Sequence, residues 1–342
     1  MTMGRSMFHA RIVACAMLAG AVFALPAHAS GTTLTLYSRL SYAPAVVAAF
    51  THRTGIRIRL RRPPPAGLMA RMIAEGHRPR WSLAWFYGAA SAITLDRRGL
   101  LAHGIPMPVD LTPEARRVAP ADGAFVLTGL TLAAVLVAPR AAPFAPPANW
   151  TDLAKPAYRG LVGINDPVTS DQSVAAVISL LHAGGGWPGG KGFVVRLHRA
   201  GLHIYTDTAT TLAALRSGAI QLAIVRGSAG YHYADHIDRS LRVIVPQPAT
   251  LLPAVIAMAH GLDGARRSAA LSFIAFAESP AGQRIARARK GDDAAFQPAV
   301  KDAAVPDYTA MPATDELDPQ HWAGRQAAIV AWFSTAIVGP SL

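Results

Sequence analysis

Three times in its first hundred residues the sequence passes from a short apolar run into an amphipathic one, and that alternation limits the fold more than any single motif does. Leu34 to Tyr37, Ile56 to Leu60 and Leu83 to Phe86 have the length and apolar content of strands. Ala43 to Phe50, Leu68 to Ala74 and Ala90 to Leu95 carry apolar residues at helical spacing. Repeated strand–helix–strand units imply a mostly parallel sheet covered on both faces, so the expected class is α/β. Ligands of such sheets gather at the carboxyl ends of the strands. Here those ends are Tyr37 and Ser38, with Ser41 and Tyr42 in the same loop, and Tyr87 and Gly88.

The stretch Asn149 to Leu181 repeats the pattern with more polar detail. Leu161 to Ile164 reads as a buried strand that Pro167 stops. Thr169, Ser170 and Asp171 then offer capping oxygens ahead of the apolar run Val174, Ala175, Val177, Ile178 and Leu181. Free N–H groups at such a helix start, with the helix dipole behind them, suit an anion or a polar headgroup. The segment suggests capture of a small solute rather than bond-making chemistry. Arg226 and Ser228 follow another apolar strand, Gln221 to Val225, with Tyr231 shortly after. Ser38, Ser41, Thr169, Ser170, Arg226 and Ser228 are expected to converge, with Arg226 as the charge partner of a multi-oxygen anion. Asp171 would pair with Arg226 or recognise an amino group on the ligand. Tyr37, Tyr42 and Tyr87 sit where loops open and suit a ring-bearing ligand, whereas Trp85 and Phe86 read as core.

Met1 to Ala29 has the form of a secretory leader: Arg5 and Arg11, an apolar stretch from Ile12 to Leu25, then Ala27-His28-Ala29 as a small-x-small cleavage pattern. Cys15 formally fits a lipoprotein box, but the apolar stretch follows it rather than precedes it. The expected product is a periplasmic protein cleaved after Ala29. It lacks cysteine, since Cys15 is the only one, so disulfides and thiolate chemistry drop out. The formal charge of the whole chain is +13, of which Arg5 and Arg11 supply two, leaving +11. This favours anionic partners or an anionic membrane surface. Nucleic acid is not expected, because the arginines are scattered. The densest cluster, Arg57, Arg59, Arg61 and Arg62, alternates with Ile56, Ile58 and Leu60 as one solvated strand face would.

A chain of this length supports two cores. The long apolar run Phe125 to Val137, interrupted at Thr128-Gly129, could begin in one lobe and finish in the other. The proline-rich stretch Ala141 to Trp150 is a stiff connector. A second alternation then follows: Ser173 onward, Lys191 to Arg199, Leu202 to Tyr205, Thr210 to Ser217, Gln221 to Val225 and Leu241 to Val245. Prolines 246, 248 and 253 bracket a return crossing into the strand Ala254 to Met258 and the helix Ala265 to Ala277. The expected division is 1–29 leader, 30–130 with 250–342 as lobe 1, and 131–249 as lobe 2. The tail Glu316 to Ile337 is expected to pack as an amphipathic helix on lobe 1. Two crossings make a hinge, and a hinge makes a closing cleft.

Catalysis lacks a motif. No G-x-S-x-G elbow or H-E-x-x-H helix occurs, no acidic residues form an obvious acid/base pair, and the triple glycine Gly184 to Gly186 follows a helix rather than a strand. No cofactor is expected.

In order and spacing, LTLYSRLSYAPAVVAAFTHRTGIRIRL, LMARMIAEGHRP, the Asn149–Leu181 segment, TLAALRSGAIQLAIV and AALSFIAFAESPAGQRIA together resemble periplasmic solute-binding proteins of ABC importers, type II topology, in the branch of ferric-ion and phosphonate binders. The resemblance covers nearly all of the chain after the leader. It implies a two-lobed fold with two hinge crossings, capture of a small-molecule or anionic solute, and delivery to a membrane permease driven by an ATPase; a monomer is expected. Iron binders of the branch use a histidine after the first strand, a glutamate after the third and two adjacent tyrosines after the strand matching Gln221 to Val225. This chain has Ser38 to Tyr42, Tyr87 to Ala89 and Arg226 to Ser228 there. Tyr231, His232, Tyr233 and His236 still offer hard ligands for ferric ion, so iron stays an alternative. A binding protein serving a sensor instead of a permease is a second one.

Overall fold

The computed structural model describes residues 32–64, 67–108, 110–169, 173–288, 291–301, 303, 314–315 and 317–339. In chain order its strands are Thr33–Ser38 (β1), Arg57–Arg61 (β2), Leu83–Tyr87 (β3), Phe125–Leu132 (β4), Val135–Pro139 (β5), Val162–Asn165 (β6), His203–Tyr205 (β7), Leu222–Val225 (β8), Leu241–Ile244 (β9), Ala249–Met258 (β10), Gln297–Pro298 (β11) and Thr314–Asp315 (β12). They form two sheets. The leader and its cleavage site lie outside the described residues.

The first sheet runs β11-β4-β10-β3-β1-β2, with β12 beside β10. β1, β2 and β3 pair in parallel, as their helical connections require. β10 lies antiparallel between β3 and β4, so the sheet is mixed rather than uniformly parallel. Period-two alternation divides the side chains of β1 between two cores. Leu34 and Leu36 join Val46, Phe50 and Phe273 on one face, and Tyr37 joins Met72 and Trp81 on the other. The helix Ala43–Thr54 carries a proline in its first turn and stops at Gly55, whose φ of 74° suits a residue without Cβ.

The second sheet runs β7-β6-β8-β5-β9. β6, β7 and β8 are parallel, and β5 and β9 close the sheet antiparallel. Trp150, Ile164, Val177, Leu181 and Phe193 fill the core on one side of it. Leu212, Ile220 and Val225 fill the other side.

The chain passes between the sheets at Ala133-Ala134, which separate β4 from β5, and again between β9 and β10. Thr128-Gly129 is therefore not the break that the sequence suggested. Pairing to β10 steps from Gly129 to Leu127, leaving Thr128 as a bulge inside β4. Its hydroxyl accepts a hydrogen bond from Trp85 Nε1 at 2.9 Å. Gly129 is required because a Cβ there would run into the ring of Phe296.

The tail is a second correction. Ile329, Phe333 and Ile337, from the helix Gln326–Phe333 and its continuation Ser334–Val338, are buried in the core of the second sheet, not the first. Just before them, Gln320 bonds Arg97 and Gln326 accepts from Ser91, both on the first side. The tail thus adds a third link between the lobes. The reason is aromatic: Trp332 packs edge-on to Trp187 at 5.8 Å, and Lys191 Nζ lies 4.2 Å from the Trp187 ring. Lys191→Met, which keeps the stem and removes the charge, is expected to cost about 0.5–1 kcal/mol in urea denaturation.

Candidate functional site

The ends of five strands, β1, β3, β6, β7 and β8, meet between the sheets. β1 ends in Ser38, whose buried hydroxyl accepts from Leu40 N–H at 3.2 Å and tightens the loop into Ser41 and Tyr42. Tyr42 turns inward onto Trp85, edge to face at 5.2 Å, and is fully buried. It belongs to the core rather than to a ligand surface. β3 ends in Tyr87, whose hydroxyl donates to the main-chain oxygen of Asp293 at 3.2 Å. Burial first, and Asp293 next, raise the Tyr87 phenol far above its ordinary range, so it acts only as a neutral group.

From the second sheet, β8 delivers Arg226. Its Nε donates to Ser228 Oγ at 2.7 Å, which fixes the guanidinium plane. Nη2 reaches Asp293 Oδ1 at 2.5 Å, with Asp292 Oδ2 at 3.6 Å. Cζ stands 4.9 Å from the centre of the Tyr87 ring. The second oxygen of Asp293 accepts from Ser41 N–H at 2.9 Å. Burial opposes the charge on Arg226, but Asp293 and then Asp292 outweigh it and keep the group protonated. In the ion pair, the Arg226 and Asp293 side chains are each only 5% exposed.

This overturns the expected role of Arg226. It is not a free cation waiting for an anion, because its charge is met by a carboxylate carried on the other lobe. Asp292 and Asp293 are the residues that the sequence reading missed. A signal was present: they are adjacent acids, in a chain with 20 acidic residues, placed directly after the terminal helix pair and Gly291.

Beside this pair lies a cavity of about 480 Å³. The first lobe lines it with Arg39, Met69, Phe86, Tyr87, Ser91 and Asp292, and the second with Thr169 and Thr206 to Ala209. Thr169 Oγ1 donates to Thr206 O at 2.6 Å and so ties the loop after β6 to the loop after β7. Asp207 caps the helix Thr208–Ser217 by accepting from Thr210 N–H at 2.8 Å, and that bond lowers the carboxyl below its usual range. Asn165 donates to Thr208 Oγ1 at 2.8 Å, holding this hydroxyl at the wall. Arg39 donates to Pro63 O at 2.6 Å and is exposed, with no carboxylate partner among the described residues.

Not every expected site residue arrives here. Tyr37 is buried on the far layer, donating to Glu75 Oε1 at 2.8 Å, because its strand position faces the helix Leu68–Glu75. Tyr231 packs against the second core with Tyr233. Gly88, at φ 109°, lines a separate and smaller cavity of about 60 Å³ with Leu252, Pro253 and Trp322. Ser38, Ser41 and Ser228 position the pair rather than face the cavity. Thr169 and Tyr87 do line it; Ser170 and Asp171 lie outside the described residues.

The model of the bacterial extracellular solute-binding protein family matches residues 45–315. No curated protein sequence matches the chain. Iron-bound HitA from Pseudomonas aeruginosa superposes with a TM-score of 0.70 at 20% identity, covering 88% of this chain and 98% of that one. AfuA from Actinobacillus pleuropneumoniae, with fructose-6-phosphate bound, gives 0.73 at 17% identity, covering 90% and 99%. A periplasmic thiamin binding protein gives 0.72 at 16%, covering 89% and 96%. At these identities the likeness is one of fold.

Proposed function

Because this chain belongs to the bacterial extracellular solute-binding protein family, we propose that it captures a small polar organic solute in the cavity between its lobes and presents it to the permease of an ABC importer. The observation that carries this reading is the cavity itself. Its volume of about 480 Å³ falls in the range of ~300–1,000 Å³ typical of sites for organic molecules. Threonine hydroxyls on one wall and Arg39, Asp292 and aromatic rings on the other suit a molecule with both hydrogen-bonding and planar parts. An anionic group on that molecule would be met by Arg39. Asp292, on the same wall, selects against a bare polyanion.

Closure gives the site its affinity, since Thr169 and Thr208 come from one lobe and Arg39 and Tyr87 from the other. The Arg226–Asp293 pair forms only when the lobes meet and acts as their clasp. A ferric ion is the weaker reading. Tyr231 and Tyr233 pack on the second core, burial raises both phenols, and the cavity is far larger than one ion needs. The same reading places the protein in the periplasm as a monomer, cleaved after Ala29, with a permease and an ATPase as partners. A sensor in place of the permease differs only in what receives the closed form.

The test is thermal unfolding of ligand-stripped protein against phosphate esters, phosphonates, carboxylates, amino compounds, sugars and ferric citrate. A ligand at ~100 times its dissociation constant adds ~2.7 kcal/mol, read as several degrees. Arg39→Gln is expected to weaken an anionic ligand roughly 10-fold, a loss of about 1.4 kcal/mol, with Tm of the empty protein unchanged. A shift with ferric ion alone, abolished in Tyr231→Phe, would replace this reading with iron binding.

A further inference from the structure

The strongest charge anomaly in the molecule lies away from the cavity. No aspartate or glutamate precedes Glu75 in the sequence. Within that acid-free stretch, β2 is an edge strand that pairs only with β1. Its alternation turns Ile58 and Leu60 toward the first core and Arg57, Arg59 and Arg61 outward, all three exposed. Side chains on one strand face repeat every ~6.6 Å, so the three arginines leave the strand as a regular row. Arg62 follows directly and is also exposed.

Register shows what shares the face. Arg57 lies beside Thr33, Arg59 beside Thr35 and Arg61 beside Tyr37. The Tyr37 hydroxyl bonds Glu75, and that carboxylate is already taken by Arg71 at 3.0 Å and by Arg80 N–H at 2.9 Å. Among the described residues no ion pair meets Arg57, Arg59 or Arg61. Charge on an edge strand also blocks edge-to-edge pairing of sheets, and the row serves that purpose as well.

We infer that the Arg57–Arg59–Arg61 face of β2 docks on anionic phospholipid headgroups and holds the protein against an acidic membrane surface. A lipid surface fits better than a protein partner because protein interfaces are anchored by buried aromatic or apolar side chains. The large exposed apolar residues among the described ones are Val168, Ile237 and Val338, none of them on β2. What remains is a flat row of uncompensated cations, which recognises charge density rather than shape. It also gives part of the +11 formal charge left after Arg5 and Arg11 a use that the solute cavity does not.

The experiment is co-sedimentation of the protein with vesicles of pure phosphatidylglycerol and of pure phosphatidylcholine. Binding to the first alone is expected, released as salt shortens the screening length. Arg57→Gln/Arg59→Gln/Arg61→Gln is expected to lower partitioning roughly 100-fold, and Arg59→Gln alone roughly 5-fold. The control Arg159→Gln/Arg199→Gln/Arg239→Gln removes the same charge from exposed positions on the other lobe and is expected to bind as the parent does. Circular dichroism confirms that each variant is folded, and the single variant decides if the triple is not. Equal losses in both triples would mean that net charge alone acts. That result, or absence of binding to phosphatidylglycerol, overturns the inference; the latter would leave an acidic protein surface as the partner of this face.

Discussion

Asp293→Ala is expected to destabilise the closed form by about 3 kcal/mol, because it leaves the buried Arg226 guanidinium only the more distant and more exposed carboxylate of Asp292 as a counter-charge. The other groups around Arg226 do not replace the lost carboxylate. Ser228 is neutral, Tyr87 is held as a phenol, and Asp292 stands at 3.6 Å. Unlike a pair inside one core, this one has an escape, since opening the lobes hydrates both charges. The variant should therefore unfold more easily and also populate an open form. Chemical denaturation reads the first effect, and the radius of gyration from solution scattering reads the second. Arg226→Met/Asp293→Leu, which removes both charges at similar volume, should recover most of the loss. If Asp293→Ala unfolds within about 1 kcal/mol of the parent and scatters identically, the pair is not a clasp.

The second large effect concerns Glu278, at the end of the helix Gly264–Glu278. It is 8% exposed, and its Oε1 has no hydrogen-bond partner among the described residues. Burial raises this carboxyl well above its ordinary value of 4.5. The folded state therefore holds a proton that the unfolded chain releases. That stability is fully present below about pH 4.5 and is lost as pH rises toward the folded value, by at most ~1.4 kcal/mol per pH unit. Glu278→Gln keeps the shape and removes the titration. It is expected to leave Tm unchanged near pH 4 and to raise it progressively as pH climbs above about 4.5, until the folded carboxyl itself ionises. Parallel pH profiles for the two proteins would show that Glu278 stays ionised in the fold.

The elements that sequence reading placed well are those whose signal is local. The helix Lys191–Arg199 and the strands β1, β3 and β8 appear within one residue or so of where periodicity and flanking turns set them. The loops it named were also the loops that line or brace the cavity, because a parallel strand's carboxyl end is fixed by chain direction alone. Thr169 and Tyr87 came from this argument, and Ser41, Arg226 and Ser228 came from it with a different role. Where it erred, the cause was distant. Arg226 meets Asp293 across 67 positions of chain, and no local pattern pairs them. Tyr37 was read as loop-facing, but the helix Leu68–Glu75 lies over its side of the strand.

Patterning alone therefore determined the α/β class, the two-core organisation, the strand ends that surround the cavity and the row of arginines on β2. Each depends on periods of two or 3.6 residues, on turn chemistry or on the absence of acids, all of which are written along the chain. Only the tertiary structure decided that Arg226 is spent on Asp293, that Arg39 and the threonines line the cavity, and that the tail seals the second lobe through Trp332 and Phe333. Charge pairing and aromatic packing act through space. Their partners are chosen by which surfaces the completed sheets bring within a few ångströms.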